Sequence, residues 1–202
     1  MSRRLGILIS GRGSNLQSII DAIQNGELQA TIAVVISNRP EAVGLLRAKE
    51  AGLETVCLRQ KDFDSRDRYD TAVADALRER AVDLVCLAGF MRLVGAPLLD
   101  AFAHRILNIH PSLLPAFPGL DAQQQALDYG VQVAGATVHL VTAELDGGPI
   151  VQQAAVPVLP DDTAERLSAR ILIEEHRLYP KAVGLVLDGR WRIEGRRFIV
   201  AG

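Results

Sequence analysis

The first half of the chain alternates short apolar runs with amphipathic segments, and this alternation constrains the fold more than any other feature. The apolar runs are rich in β-branched residues and predict strands at residues 5–9, 31–36, 55–58 and 83–87. The intervening segments predict helices, since apolar side chains recur on one helical face, at residues 16–23, 41–51 and 66–80. This order indicates an α/β fold with a mostly parallel twisted sheet and helices on both faces.

The second half is less regular. A strand is predicted at residues 106–110, and a short helix follows at residues 123–129. Two further strands are predicted at residues 136–141 and 150–158. Residues 162–187 are a predicted long helix that begins with an Asp162/Glu165 capping pair. Pro180 is expected to kink or split this helix. A C-terminal hairpin is predicted over residues 191–200, with its turn at Glu194-Gly195.

Length and charge exclude several classes of protein. At roughly 150 residues per domain, the 202 residues favour one domain spanning residues 1–202. The net charge of −2 argues against binding to nucleic acid or to an anionic membrane surface. Apolar runs are all far shorter than the ~20 residues that span a bilayer. The apolar stretch near the N-terminus ends at Gly11, which is too early for a signal peptide.

The two cysteines, Cys57 and Cys86, fit neither a disulfide framework nor a metal site. Each lies in an apolar run and is predicted to be a small core residue. A reduced, cytoplasmic location is therefore expected.

A glycine-containing turn, Gly11 to Asn15, links the first predicted strand to the first helix. Glycines let backbone N–H groups approach an anion, and the helix N-terminus favours negative charge. The third glycine of a dinucleotide-binding fingerprint is absent, because position 16 is Leu, so a phosphate monoester fits better than NAD. The alternative is purely local, since Ser14 and Gln17 also have the spacing of a capping box.

Two polar residues interrupt an apolar strand, and both lie near its carboxyl end. The side-chain period of two places Asn108 and His110 on the same face. Open α/β sheets bind their ligands at the carboxyl ends of strands. An amide can stabilise an oxyanion while an imidazole transfers a proton, which suits acyl transfer. A polar pair satisfied by loop backbone is the alternative.

Asp146 begins the tightly specified turn Asp-Gly-Gly-Pro and is a candidate partner for His110. A carboxylate there would hold the imidazolium form of the histidine, although a turn-forming Asp is the simpler interpretation. His139 lies inside a predicted strand and is interpreted as a core histidine. Glu174 and Glu175 both flank the apolar stripe of the last helix, and periodicity does not choose between them.

Four segments, in this order, resemble the glycinamide ribonucleotide formyltransferases of purine biosynthesis: ISGRGSNLQ, AGFMRLV, ILNIHPSLLPAFPG and ATVHLVTAELDGGPI. FDSRDRYD and EEHRLYP add to the resemblance, which runs from residue 5 to residue 200. The third segment is typical of folate-dependent formyl transfer in general, whereas GSNLQ and EEH point to the purine enzymes. The resemblance implies a Rossmann-like formyltransferase fold. It also implies transfer of a formyl group from 10-formyltetrahydrofolate to the amine of glycinamide ribonucleotide, without a metal.

The resemblance also implies roles for individual residues. Asn108, His110 and Asp146 match the catalytic residues. The residues that match the ribonucleotide site include Glu175 rather than Glu174, and they are Gly13, Ser14, Asn15 and Glu175. The residues that match the folate site are Arg66, Met91, Arg92, Leu93, Val94, Asn108, Thr142, Ala143, Glu144, Leu145 and Asp146. The Leu114–Pro115 bond matches a cis peptide of the family.

Three other functions share parts of this pattern. A sugar-nucleotide N-formyltransferase would use the same chemistry on another acceptor, and a formyltetrahydrofolate hydrolase would use water. The hydrolase is disfavoured because it is expected to carry a separate regulatory domain. A silent binding module is disfavoured by the intact catalytic residues. The expected partners are the two substrates, and the chain is expected to act as a monomer or homodimer.

Asp121 stands where relatives commonly have His, and it would repel a phosphate that it faced.

Overall fold

The computed structural model describes residues 3–201, and these divide between Leu107 and Asn108 into two compact units. In the first unit the strands are β1 Arg4–Ile9, β2 Thr31–Ser37, β3 Thr55–Cys57 and β4 Leu84–Leu87. They are parallel and lie in the order β3-β2-β1-β4. The helices are α1 Ser14–Gln24, α2 Val43–Glu50, α3 Arg66–Glu79 and α4 Ala96–Ala101, with a single 3-10 turn at Gln60–Asp62.

In the chain, β5 (Ile106–His110) begins at the end of the first unit and ends in the second. The elements that follow are α5 Ala122–Tyr129, β6 Val133–Leu140, β7 Ile150–Pro157, α6 Ala164–Asp188, β8 Trp191–Glu194 and β9 Arg197–Val200. The strand order here is β5-β6-β7-β9-β8. β6–β7 and β8–β9 are antiparallel, whereas β7–β9 is parallel.

The predicted α/β class, with a mostly parallel sheet and a C-terminal hairpin, is confirmed. β1 shows why the strands could be predicted from apolar runs, since its residues Leu5, Ile7, Leu8 and Ile9 are all fully buried. A parallel strand covered by helices on both faces has no solvent side, so it reads as a continuous apolar run rather than an alternating one.

Several local predictions need correction. α6 is one continuous helix with Pro180 inside it, so the proline does not split it. Thr163 caps this helix by accepting a hydrogen bond from Arg166 N, whereas Asp162 binds Arg170 and the backbone of Leu159. The short helix α4 was not predicted, because six residues beginning Ala-Pro show no helical period.

The two cysteines behave differently. Cys86 is buried within β4, as predicted, but Cys57 is exposed because it ends the edge strand β3. None of the helices in the described residues is long and apolar enough to cross a membrane. The Leu114–Pro115 bond is cis, as the family resemblance implied.

Candidate active site

The loop between β1 and α1 is shaped by a close contact that requires glycine. Gly13 caps α1 with φ of 69°, and a Cβ added to it would lie 2.6 Å from the Cα of Gly44. The N–H of Gly44 donates to the carbonyl of Gly11 at 3.0 Å, which fixes the loop against α2. The predicted Ser14/Gln17 capping box is wrong, because Ser14 is already the first helical residue.

This loop leads directly into the first turn of α1. Ser14 is half-buried and Asn15 is buried, so both are held by the packing of the helix. The N–H groups of the first helical turn have no acceptor within the helix, and the macrodipole adds partial positive charge there. The first unit thus carries a feature suited to a phosphate, at the residues predicted for it.

The segment Met91–Val94 follows β4 and has a fixed backbone with exposed apolar side chains. The N–H of Met91 donates to Oγ of Ser10 at 2.8 Å, and the carbonyl of Leu93 accepts from Nη2 of Arg66 at 2.8 Å. The side chains of Met91 and Leu93 are nevertheless 64% and 56% exposed. A held backbone that presents apolar groups to solvent is suited to lining a ligand pocket.

Arg92 and Arg66, both predicted near the folate, are held by α3. The guanidinium of Arg92 lies 4.4 Å from the centroid of the Tyr69 ring, which is a cation–π contact, and it also donates to Gln60. Burial raises the pKa of Tyr69 to about 12 despite the nearby positive charge of Arg92. Arg66 lies 3.8 Å from the buried carboxylate of Asp70. These contacts place Arg66, Arg92 and the Met91–Val94 segment in one cluster of the first unit.

In the second unit, β5 delivers Asn108 and His110. His110 is 6% exposed. Its Nε2 lies 2.9 Å from the carbonyl oxygen of Phe117, and its Nδ1 lies 3.5 Å from Oδ2 of Asp146. Both ring nitrogens therefore face oxygen atoms of the protein. An imidazole held in this way is suited to proton transfer.

Asp146 sits at φ of 49° at the start of its turn, and its carboxylate faces three partners. Oδ2 accepts from the N–H of Gly119 at 2.8 Å and faces His110, while Oδ1 lies 3.7 Å from Nε2 of His139. Burial raises the pKa of Asp146, but His139, the Gly119 N–H and His110 together lower it below the usual range of an Asp. The carboxylate is thus held in its charged form.

His139 is the residue whose role the sequence did not suggest. It is 2% exposed, as a core histidine would be, but its Nε2 lies 3.2 Å from the amide nitrogen of Asn108. Its Nδ1 is bonded to the carbonyl of Leu140 at 3.1 Å, which fixes the ring. His139 therefore contacts two of the three predicted catalytic residues. The available signal was its position in the segment ATVHLVTAELDGGPI, which also contains Asp146.

The predicted loop Thr142–Asp146 is held from outside by the C-terminal hairpin. Arg196 lies 3.3 Å from Glu144 and donates to the carbonyl of Gly147 at 2.6 Å. Ala143 and Leu145 are exposed, as the turn of the loop requires. The loop thus presents its side chains outward while Asp146 at its end points into the His110 cluster.

The two candidate glutamates on α6 have different environments. Glu175 is 7% exposed, whereas Glu174 forms an ion pair with Arg177 at 2.9 Å on the helix surface. Burial thus distinguishes Glu175, the residue that the family resemblance implies, from its neighbour on the helix surface. Asp121 is exposed at the start of α5 with φ of 54°. Across residues 3–201 there is no group of three His, Cys, Asp or Glu side chains that could hold a metal ion.

Comparison with known proteins places this arrangement in a family. A model of the formyl transferase family matches residues 3–183. Phosphoribosylglycinamide formyltransferase of Escherichia coli is 46% identical over 187 residues, covering 93% of this chain and 88% of that protein. The trifunctional purine biosynthetic protein adenosine-3 of Drosophila melanogaster is also 46% identical, over 93% of this chain but 14% of that longer protein.

A solved structure agrees. Glycinamide ribonucleotide transformylase 1 from Symbiobacterium toebii superposes with a TM-score of 0.98 at 56% identity, covering 100% of this chain and 95% of that one. This similarity confirms the predicted formyltransferase fold. Because the family model covers most of the chain and the E. coli relative matches along most of both proteins, this chain belongs to the phosphoribosylglycinamide formyltransferase family.

Proposed function

We propose that this protein transfers the formyl group of 10-formyltetrahydrofolate to the amine of glycinamide ribonucleotide, a step of purine biosynthesis. The observation that carries the proposal is the cluster of Asn108, His110 and Asp146, since it brings together an amide donor, a buried imidazole and a charged carboxylate. The similarity to phosphoribosylglycinamide formyltransferases supports the choice of substrates. The folate is a co-substrate, and the reaction uses no metal.

The reaction begins when the amine of the ribonucleotide attacks the formyl carbon. Asn108 donates a hydrogen bond to the oxyanion of the tetrahedral intermediate, a type of contact worth about 3–4 kcal/mol in other enzymes. His110 then gives a proton to the departing folate nitrogen, and Asp146 holds the imidazolium in place. The intermediate collapses by breaking the bond between the formyl carbon and that nitrogen. The attacking nitrogen gives up a proton, which restores the imidazolium of His110, and the products are the N-formyl ribonucleotide and tetrahydrofolate.

Binding of the ribonucleotide is assigned to Gly13, Ser14 and Asn15 for the phosphate and to Glu175 for the remainder of the substrate. The N-terminal end of α1 supports the phosphate assignment, because it offers N–H donors and partial positive charge. The chain has a net charge of −2, so this attraction has to be local.

Binding of the folate is assigned to three groups of residues. The Met91–Val94 segment supplies exposed apolar side chains, and Arg66 and Arg92 supply positive charge for the carboxylates of the folate. The third group is the loop Thr142–Asp146, and Asn108 is assigned to both folate binding and catalysis.

The reaction takes place in the cytoplasm, and the protein acts as a monomer or homodimer.

The acceptor is tested by mass spectrometry of the products. The purified protein is incubated with 10-formyltetrahydrofolate and either glycinamide ribonucleotide or a set of amino-sugar nucleotides. The proposal expects N-formyl glycinamide ribonucleotide and no formylated sugar. Formylation of a sugar nucleotide without formylation of the ribonucleotide would contradict it.

A further inference from the structure

Two adjacent buried residues of α3 take no part in the proposed reaction, yet both contact the segment assigned to folate binding. Tyr69 is fully buried, and Asp70 is 2% exposed. A carboxylate is rarely buried without a partner that repays its lost hydration. The partners of Tyr69 and Asp70 therefore indicate what these two residues do.

Asp70 holds Gly95, the residue that directly follows the Met91–Val94 segment. Its Oδ2 accepts a hydrogen bond from the N–H of Gly95 at 2.8 Å and lies 3.8 Å from Nε of Arg66. Arg66 in turn donates to the carbonyl of Leu93 at 2.8 Å. A Cβ on Gly95 would collide with this same Oδ2, so the backbone approaches the carboxylate as closely as glycine permits. Asp70 thus fixes the segment directly at Gly95 and, through Arg66, at Leu93.

Tyr69 holds the middle of the segment through Arg92. The guanidinium lies 4.4 Å from the ring centroid, and Phe63 packs edge-on against the same ring with centroids 5.5 Å apart. The hydroxyl of Tyr69 is buried and, within the described part of the chain, has no hydrogen-bond partner. The ring rather than the hydroxyl therefore makes the contact that places Arg92.

We propose that Tyr69 and Asp70 are positioning residues for 10-formyltetrahydrofolate, which hold Arg92 and the Met91–Val94 segment in the conformation that binds it. The inference rests on the proposed function. Its physical basis is preorganisation: a segment ordered before the ligand arrives does not lose conformational freedom on binding. The main chain is held at Met91, Leu93 and Gly95, while the side chains of Met91 and Leu93 stay exposed for contact with the folate.

The test compares kcat and both KM values for Tyr69→Leu and Tyr69→Phe. Leu removes the cation–π contact, so the KM for 10-formyltetrahydrofolate is expected to rise about 5- to 30-fold. Saturating kcat and the KM for glycinamide ribonucleotide stay unchanged, because only folate binding is affected. Phe keeps the ring and discards a hydroxyl with no partner, so it restores wild-type folate KM.

Asp70→Asn provides a second test that separates positioning from stability. Asn keeps an acceptor for Gly95 but loses the charge that attracts Arg66, so folate KM is expected to rise about 3- to 10-fold. Because the substitution also removes a buried charge, the melting temperature at pH 7 should not fall. Asp75→Asn, on the exposed face of the same helix, is the matched control and should behave as wild type.

Unchanged folate KM in both Tyr69→Leu and Asp70→Asn would overturn the inference. So would a fall in kcat with both KM values unchanged, since that is the signature of a smaller active fraction caused by a structural defect. If Tyr69→Leu does not fold, Asp70→Asn decides alone. Absence of folate turnover by the wild-type protein would overturn the proposed function, and this inference with it, whereas normal wild-type turnover with unaffected variants overturns this inference only.

Discussion

Asp70 is buried and the side chain of Asp146 is 9% exposed, and each carboxylate accepts one backbone N–H. Their charged forms are nevertheless compensated to different extents. Burial raises the pKa of Asp146, but His139, Gly119 N–H and His110 more than offset it, so the net shift is downward. Burial likewise raises the pKa of Asp70, and here Gly95 N–H, Arg66 and Arg92 do not offset it, so the net shift is upward. Each carboxylate has three such partners. They differ because Asp146 has a hydrogen-bonding side chain, His139, among its partners, whereas the two side-chain partners of Asp70 act through charge alone.

The difference matches the two proposed roles. Asp146 has to stay charged through the reaction in order to hold His110, and three partners keep it so. Asp70 only has to anchor a segment, so a costly charge is tolerated where it fixes Arg66 and Gly95. The charged form of Asp70 thus lowers the free energy of unfolding, while the same carboxylate preorganises the binding segment. Such a loss of stability is common at functional sites.

The largest expected effect comes from Asp146→Asn. Loss of the charge leaves His110 without its partner, and kcat should fall between about 10²- and 10⁴-fold, the range of general acid–base catalysis. The measurement is steady-state kcat with both substrates saturating. Asp128→Asn, on the exposed face of α5, should retain wild-type kcat. Near-normal turnover by Asp146→Asn would break the contrast with Asp70.

A third carboxylate extends the comparison to the other substrate. Glu175→Gln is expected to raise the KM for glycinamide ribonucleotide about 10- to 100-fold, because a charge-assisted hydrogen bond is lost from a buried site. The adjacent Glu174→Gln is the control, since Glu174 pairs with Arg177 on the surface and should change KM by less than about twofold. Equal effects of the two substitutions would refute the assignment of Glu175.

His139→Asn should make Asp146 resemble Asp70 by removing one of its partners. We expect kcat to fall between about 5- and 10-fold, since Nε2 of His139 faces both Asn108 and Asp146 and makes one hydrogen bond of roughly 1 kcal/mol at a time. The pKa of Asp146 should also rise. Because the ionised form is the active one, the loss of kcat at acid pH should begin at a higher pH than in wild type. His104→Asn, at an exposed position, is the control, and an unshifted acid limb in His139→Asn would count against the network.

The smallest expected effect concerns stability, where the two carboxylates should differ in sign. Asp146 has a lowered pKa, so its stabilising contribution is present above its unfolded pKa and lost as the pH falls through its folded pKa. Asp146→Asn should therefore melt below wild type at pH 7, with the gap closing in acid. Asp70 has a raised pKa, so the wild type is penalised at pH 7 and relieved as the pH falls. Asp70→Asn should melt at or above wild type at pH 7, and calorimetry that shows both variants shifted in the same direction would refute the contrast.

Much of the fold was predictable because parallel strands and their helices leave strong periodic signals. β5 was predicted with its observed bounds, and the hairpin of β8 and β9 turns where expected. The errors arose where a tertiary contact overrides a local pattern. The capping box at Ser14 fails because Gly44 needs Gly13 at the cap, and the edge position of β3 exposes Cys57.

The residues of the site were predictable to different degrees. Asn108 and His110 could be paired from the side-chain period of one strand, because that spacing is local. The contact of Asp146 with His110 joins residues 36 positions apart, so the sequence pattern left a turn-forming Asp as the simpler interpretation and the resemblance favoured the pairing. His139 was interpreted as a core histidine, and Tyr69 and Asp70 were not singled out, since the partners of a buried His, Tyr or Asp appear only after folding.

The central claim is that formyl transfer depends on the acceptor amine, and one measurement tests it most directly. The rate at which tetrahydrofolate appears from 10-formyltetrahydrofolate is followed spectroscopically, with and without glycinamide ribonucleotide. The account predicts product only when the ribonucleotide is present. Product at the same rate in its absence would mean that water accepts the formyl group, and the protein would be a hydrolase instead.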